Sequence, residues 1–252
     1  MSVPMYQPVG DHAVLVSYEE RIDPEISERV RLLSEVITQQ GFPWLEETVF
    51  SYRSVLIIYR PRMIRFPEVM DAIKKIEQDL HPTQSNPPDL FEIPTVYDGP
   101  YGPDLKRVAE VAGLSPREII DLYSSTTFTI YFLGFLCAQP YLGGLPERLH
   151  IPRLDNPRIH MPAGSVGIGG IQASLLTIDQ PSGHNFIGRT FLSLYDPVRM
   201  PPTPLKAGDR IIFKPIFEKD IGKIRGKQPE KKLVPPRLDA LTLSSNQGRG
   251  KG

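Results

Sequence analysis

Apolar and polar positions change period several times along the chain, and the changes mark out elements. His12–Tyr18 (HAVLVSY) is a short, mostly apolar run of β-branched character, which predicts a strand. Asp23-Pro24 then supplies a side-chain cap and a proline at the first helical position. Ile26, Val30, Leu33 and Ile37 follow at spacings of three and four, one face of an amphipathic helix. Gly41 suits the left-handed position just past its end. Thr48–Tyr52 and Ser54–Tyr59 read as two further strands. Pro67 opens a second helix with Val69, Ile73, Ile76 and Leu80 on one face. The order β-α-β-β-α, completed by a closing strand, predicts a split βαβ, ferredoxin-like sandwich over residues 1–85.

His81–Asp89 (HPTQSNPPD) holds three prolines and no long apolar side chain, so it reads as a linker. Beyond it, Phe91–Tyr97 predicts a strand and Asp104–Val111 a short helix. Ser115-Pro116-Arg117-Glu118 is a capping-box sequence opening a helix to about Leu122. Helical periodicity then stops. Thr127–Leu133 (TFTIYFL) is β-branched and aromatic, and after it short apolar runs are broken by Gly or Pro every eight to twelve residues. That spacing predicts a β-barrel or sandwich. Lys206–Arg210 reads as a tight turn before a last strand, Arg210–Pro215. The expected class is therefore α+β: a small α/β unit, a β-barrel over residues 90–218, and a tail over 219–252.

Charge sharpens that last boundary. The 252 residues carry no formal net charge, yet residues 219–252 hold nine basic and three acidic side chains, leaving the body acidic. An acidic body argues against a nucleic-acid-binding face. The Gly, Lys, Pro and Ser content of the tail predicts a flexible, solvated terminus. Cys137 is the single cysteine, so no intramolecular disulfide forms, as suits a reducing compartment. The first residues, MSVPMYQPVGDH, lack a signal peptide's charged and apolar regions, and no run approaches the ~20 apolar residues of a membrane span. The expectation is a cytoplasmic protein.

Generic catalytic signatures are missing. No phosphate-binding G-x-x-x-x-G-K-[ST] is present, and Gly167-Ile168-Gly169-Gly170 has the wrong third glycine and strand-like flanks for a dinucleotide loop. Gly164 directly precedes Ser165, which rules out a nucleophile elbow. The five histidines show no zinc-ligand spacing, so no metal site is predicted. What remains is the stretch Leu133–Thr190, dense in glycine and carrying Arg148, Arg153, Arg158 and Arg189 among Tyr141, Ser165 and Gln172. Arginines hold carboxylates or phosphates bidentately, and glycine lets a ligand approach backbone. Two readings stay open: an anion-binding cleft on a small barrel, or turn glycines with surface arginines.

The same stretch carries an ordered series of motifs. They are Tyr97-Asp98-Gly99-Pro100, Gly102-Pro103-Asp104-Leu105, Gly113–Pro116, Phe132–Phe135, Tyr141–Pro146, Pro152-Arg153, Pro157-Arg158, Pro162–Val166, Ile187–Thr190 and Gly208-Asp209. Looser matches precede them at Pro8–Asp11, Ile22–Pro24 and Tyr52–Ser54. In this order they resemble the family of the B subunit of 5-oxoprolinase, allophanate hydrolase subunit 1 and the kinase inhibitor KipI. The resemblance implies a cyclophilin-like barrel and a C-type partner from the same 5-oxoprolinase complex, with a further A-type partner. It implies ATP, with its Mg²⁺, spent to open 5-oxoproline to glutamate. Under that reading Arg153, Arg158 and Arg189 hold anions, Gly164 and Ser165 lie close to the ligand, and Tyr141 and Gln172 orient it. No catalytic residue is assigned. A structural pair with Asp196 or Asp209 is the alternative for Arg189. The chain departs from the family at Leu136–Gln139, where a Pro-Gly turn is usual, and at Leu176-Thr177, where tyrosine-proline is usual. Ser182-Gly183-His184 stands in place of Gly-Gly-Trp, and Tyr123 or Ser124 in place of a histidine. A binding role tolerates such losses, which motivates the alternative: a KipI-like inhibitor of a sensor histidine kinase.

Overall fold

In a computed structural model, residues 4–80, 88–97, 99–134 and 136–232 are described. The protein is a mixed α/β structure dominated by sheets. The first sheet holds β1 (Met5–Val9), β2 (Ala13–Ser17), β3 (Leu45–Phe50) and β4 (Ser54–Tyr59) in the order β1-β2-β4-β3, with every neighbour antiparallel. Helices α1 (Pro24–Gln39) and α2 (Phe66–Gln78) complete this half. Val14, Val16, Val55 and Ile57 from the sheet are buried against Val30, Leu33 and Ile37 of α1 and Val69 and Ile73 of α2. Each such side chain contributes about 1.5–3 kcal/mol by leaving water. Asp23 caps α1 as expected, its carboxylate accepting from the amides of Glu25 at 2.9 Å and Ile26 at 3.3 Å. Gly41 takes its left-handed position, φ +64°.

The fourth strand differs from expectation. It is β1, which precedes β2 in the chain, and not a strand following α2. β1 is an exposed edge strand containing Pro8, so it shows no apolar alternation. Of the expected linker, residues 81–87 lie outside the described residues.

The second half wraps an eight-stranded sheet around its own core. Its strands are β5 (Leu90–Thr95), β6 (Phe128–Gly134), β7 (Gln139–Gly143), β9 (Ser165–Gly169), β10 (Gln172–Leu175), β12 (Asn185–Arg189), β13 (Arg210–Pro215) and β14 (Glu230–Lys232). The order is β12-β9-β10-β7-β6-β13-β5-β14, while β8 (Arg158–Met161) pairs with β11 (Gln180–Ser182) alone. Val96, just past β5, and Arg189 of β12 exchange backbone hydrogen bonds of 2.9 and 2.8 Å, which closes the sheet on itself. Helices α3 (Leu105–Ala112) and α4 (Pro116–Ser125) lie on it. Tyr123 of α4 is fully buried, its ring centroid 4.9 Å from Phe128 and 5.2 Å from Phe213.

The capping box forms: Ser115 Oγ accepts from the Glu118 amide at 3.2 Å, and Glu118 accepts from the Ser115 amide at 2.8 Å. Replacing Ser115 with alanine should lower stability by about 1 kcal/mol in urea unfolding, the usual worth of such a cap.

Part of the expected flexible tail is structured. Residues 221–224 form α5 (Ile221–Ile224), and β14 pairs antiparallel with β5 from Glu230↔Glu92 to Lys232↔Leu90. Its lysines find carboxylates there: Lys231 reaches Asp89 at 2.7 Å and Lys232 reaches Glu92 at 2.7 Å. The basic charge that suggested a solvated terminus instead matches an acidic sheet edge. Residues 233–252 lie outside the described residues. Among the described residues no helix is long and apolar enough to cross a membrane.

Candidate functional site

The strongest site is a pocket on the outer face of β7 and β10. Along β10, Ala173 and Leu175 enter the core, so Gln172 and Ser174 point the other way. Ser174 stands opposite Tyr141 of β7, and Gln172 opposite Gly169 of β9. A Cβ at Gly169 would lie 2.3 Å from the imidazole of His184, so the missing side chain leaves room for that ring. Tyr141, Arg153, Gln172, Ser174, Gln180 and His184 line a cavity of about 270 Å³ together with Gln139.

The electrostatics of this cavity are unusual. Ser174 Oγ, Gln180 Oε1 and His184 Nδ1 are buried with no hydrogen-bond partner among the described residues. Each such atom costs about 1–3 kcal/mol, which a bound ligand or solvent would recover. Gln180 uses its amide hydrogen on Gln139 Oε1 at 2.8 Å. Burial, and next the charge of Arg153, push the His184 imidazole down to about 4. At neutral pH it is therefore uncharged, one nitrogen donating and the other accepting. Arg153 donates to Gln172 Oε1 at 3.2 Å and forms no ion pair among the described residues. Gln172 in turn donates to the Tyr52 hydroxyl at 2.5 Å. Stacking of Tyr141 on Phe132, with centroids 4.3 Å apart, forms one wall. The cavity thus offers one cation at its rim and neutral donors and acceptors at its floor.

Comparison with known proteins places this architecture. The family described as Carboxyltransferase domain, subdomain C and D, matches residues 4–205. The chain belongs to that carboxyltransferase-domain family. It is 35% identical over 226 residues to the B subunit of 5-oxoprolinase from Bacillus subtilis (strain 168), covering 84% of this chain and 92% of that protein. It is 37% identical over 211 residues to the B subunit of 5-oxoprolinase from Escherichia coli O157:H7, covering 82% and 94%. The resemblance read from the motifs is borne out by these relatives. The crystal structure of the K. lactis urea amidolyase superimposes with a TM-score of 0.73 at 20% identity, over 91% of this chain and 16% of that one. That likeness is one of fold.

Within this family member, the residues expected at the site divide. Tyr141, Arg153 and Gln172 meet in the pocket. Arg158 does not: both its terminal nitrogens donate to the buried carboxylate of Asp104, at 2.8 and 2.5 Å. Ser165 is 2% exposed and gives its hydroxyl to the Pro162 carbonyl at 2.7 Å. Gly164 has φ +82°, and a Cβ there would lie 2.0 Å from the Thr190 carbonyl oxygen, so a tight turn requires it. Arg189 donates to the Ala163 carbonyl at 3.0 Å and lies 5.0 Å from the Phe191 ring, with burial lowering its pKa. Neither expected carboxylate pairs with it. Asp196 holds Arg199 at 3.4 Å, and Asp209 accepts from the amides of Lys206 and Asp89 at 2.9 and 3.1 Å.

Sequence reasoning missed Ser174, Gln180 and Gln139 and set His184 aside. The alternation Gln172-Ala173-Ser174-Leu175 was the signal for Ser174. For His184 the signal was the departure from the family's tryptophan. Among the described residues no group of three or more His, Cys, Asp or Glu side chains is placed to hold a metal.

Proposed function

We propose that this chain is the B subunit of an ATP-dependent 5-oxoprolinase-type complex, and that the pocket of β7 and β10 holds the lactam. The relatives named as B subunits of 5-oxoprolinase support the class of reaction. One observation carries the site: three buried polar atoms that find no partner among the described residues stand beside an arginine that finds no carboxylate among them. 5-Oxoproline presents the complementary groups. Its carboxylate suits Arg153, its ring N–H suits Gln180 Oε1, and its carbonyl oxygen suits the Ser174 hydroxyl and a protonated nitrogen of neutral His184. Tyr141 supplies an aromatic wall for the ring.

The chemistry needs ATP because an unstrained amide opens slowly. Transfer of the γ-phosphoryl to the lactam oxygen releases ADP and makes the ring carbon electrophilic. Water then adds at that carbon, the C–N bond breaks to leave the amino acid as its acyl phosphate, and a second water displaces phosphate to give glutamate. A cavity of about 270 Å³ with one cation and no carboxylate is poorly suited to a triphosphate and its Mg²⁺. We therefore assign the nucleotide to a surface shared with the C-type and A-type partners. The finer fold reading belongs here too: a ferredoxin-like unit over residues 1–85, supported by the strand order, and a cyclophilin-like barrel over 90–218, supported by its closure through Val96 and Arg189. No observation on the site favours the alternative of a histidine-kinase inhibitor.

The test is ADP release by this chain mixed with its C- and A-type partners. Release that depends on 5-oxoproline and on the mixture is expected. Arg153→Ala should raise KM for the lactam about tenfold, the scale of one charged hydrogen bond. An assembled complex that releases no ADP in response to the lactam overturns the reading.

A further inference from the structure

We infer that Tyr52, from the turn between β3 and β4 of the first sheet, is a positioning residue that sets Arg153 in the pocket through the side chain of Gln172. The inference rests on the lactam reading of that pocket and assigns the first sheet a part in it.

The polarity of the connection follows from donor chemistry. A guanidinium only donates, so the Gln172 atom facing Arg153 is its carbonyl oxygen, at 3.2 Å. The amide nitrogen then faces the Tyr52 oxygen, at 2.5 Å, and donates to it. Arg153 is exposed and forms no ion pair among the described residues, so the Gln172 oxygen is its one hydrogen-bonding guide there. An amide pinned at one end only rotates about its last torsion. Pinned at both ends, it holds the guanidinium in one place before a carboxylate arrives, and binding then loses less side-chain entropy.

Tyr52 is itself held firmly. The rings of Phe132, Tyr131 and Tyr141 surround it edge-on at 4.9, 5.4 and 6.1 Å. Its turn is tied by Ser51 N–H to the Ser54 carbonyl at 2.9 Å and by Arg53 to the Tyr18 carbonyl at 3.1 Å. The anchor therefore belongs to the first sheet, while Arg153 and Gln172 belong to the second half. The two halves have separate cores, and Tyr52 is where the first reaches the pocket wall. Packing alone explains the ring but not the hydroxyl, since a phenylalanine would fill the same aromatic cage.

Tyr52→Phe keeps the ring and removes the acceptor. The full chain, assembled with its partners, would be titrated with 5-oxoproline and with 2-pyrrolidinone, the same ring without a carboxylate. The variant should bind 5-oxoproline about five- to tenfold more weakly, with affinity for 2-pyrrolidinone and melting temperature unchanged. Gln172→Ala should give a similar loss, and the two changes together no more than either alone. Equal weakening for both ligands, or none for either, overturns the inference. If wild type binds neither ligand, the pocket reading fails on its own, and a crystal structure of Tyr52→Phe decides the connection. Displaced Gln172 and Arg153 side chains would support it; unchanged ones would overturn it.

Discussion

Replacing Asp104 with alanine should destabilise the fold by about 3–4 kcal/mol, measured by urea unfolding at neutral pH. Asp104 is 4% exposed and sits just ahead of α3. One carboxylate oxygen accepts from Arg158 at 2.8 Å and from the Phe186 amide at 2.7 Å; the other accepts from Arg158 at 2.5 Å. Its own amide donates to the Phe186 carbonyl at 2.9 Å. A single side chain thus ties the start of α3 to β8 and β12. Alanine would strand the amide of fully buried Phe186 and leave a guanidinium without its counter-charge. The Arg158 side chain is 34% exposed, so water softens the second loss and keeps the total near the lower end of the range for broken buried pairs. Asp104→Asn should cost nearly as much, because its amide nitrogen would have to face a donor. A loss below about 1 kcal/mol would show that Arg158 and Phe186 find other partners. The site should feel the change as well. Asn185, between His184 and Phe186, donates to the Pro152 carbonyl at 2.9 Å and accepts from Arg107 of α3 at 3.0 Å, so the entry to β12 that carries His184 depends on the same junction.

That junction also shows where sequence reading stops. Local chemistry was legible: Asp23-Pro24 and Ser115/Glu118 announce their helices because each cap is settled within three residues. Arg210–Pro215 forms as expected because its apolar positions alternate between a core and a surface. The pairing of Arg158 with Asp104 was not legible because the partner lies 54 residues earlier, and a guanidinium that binds a ligand reads the same as one that braces a helix. β1 and β14 were missed for a shared reason. Both lie at sheet edges and are almost wholly exposed, so neither carries the alternation that betrays a strand. The pocket was half legible. Tyr141, Arg153 and Gln172 were read from their residue types, whereas Ser174 and Gln180 matter through burial without partners, a property no spacing encodes. His184 sits over Gly169 because the antiparallel pairing of β12 with β9 brings positions 15 residues apart into contact, and only the absent Cβ at Gly169 betrays it.

The burial of His184 has a measurable signature in acid. Its imidazole is pushed down to about 4 in the fold, by burial first and Arg153 second, against an ordinary value of 6.5. The unfolded chain therefore binds this proton before the native protein does. Stability from keeping the ring neutral is fully present above about pH 6.5 and drains away as pH falls toward about 4. Between pH 7 and about pH 4.5 that drain should amount to about 2 kcal/mol. Several carboxylates whose pKa is lowered by hydrogen-bond partners, such as Asp89 with Lys231 and Asp179 with the Ala163 amide, also lose stability in acid. They do so in any variant, so the comparison is between wild type and His184→Gln, which stays neutral throughout. Urea unfolding at both pH values should show wild type losing about 2 kcal/mol more than His184→Gln. Equal losses would mean that the ring reaches solvent and titrates normally. The same neutrality bears on function. A histidine at 6.5 would gain charge beside Arg153 across the physiological range and repel it, disturbing the arginine that we propose as the holder of the lactam's carboxylate. A ring held neutral leaves Arg153 as the one cation of the pocket, so affinity for 5-oxoproline should be flat from pH 5.5 to 8, and a midpoint near 6.5 would contradict the buried position of His184.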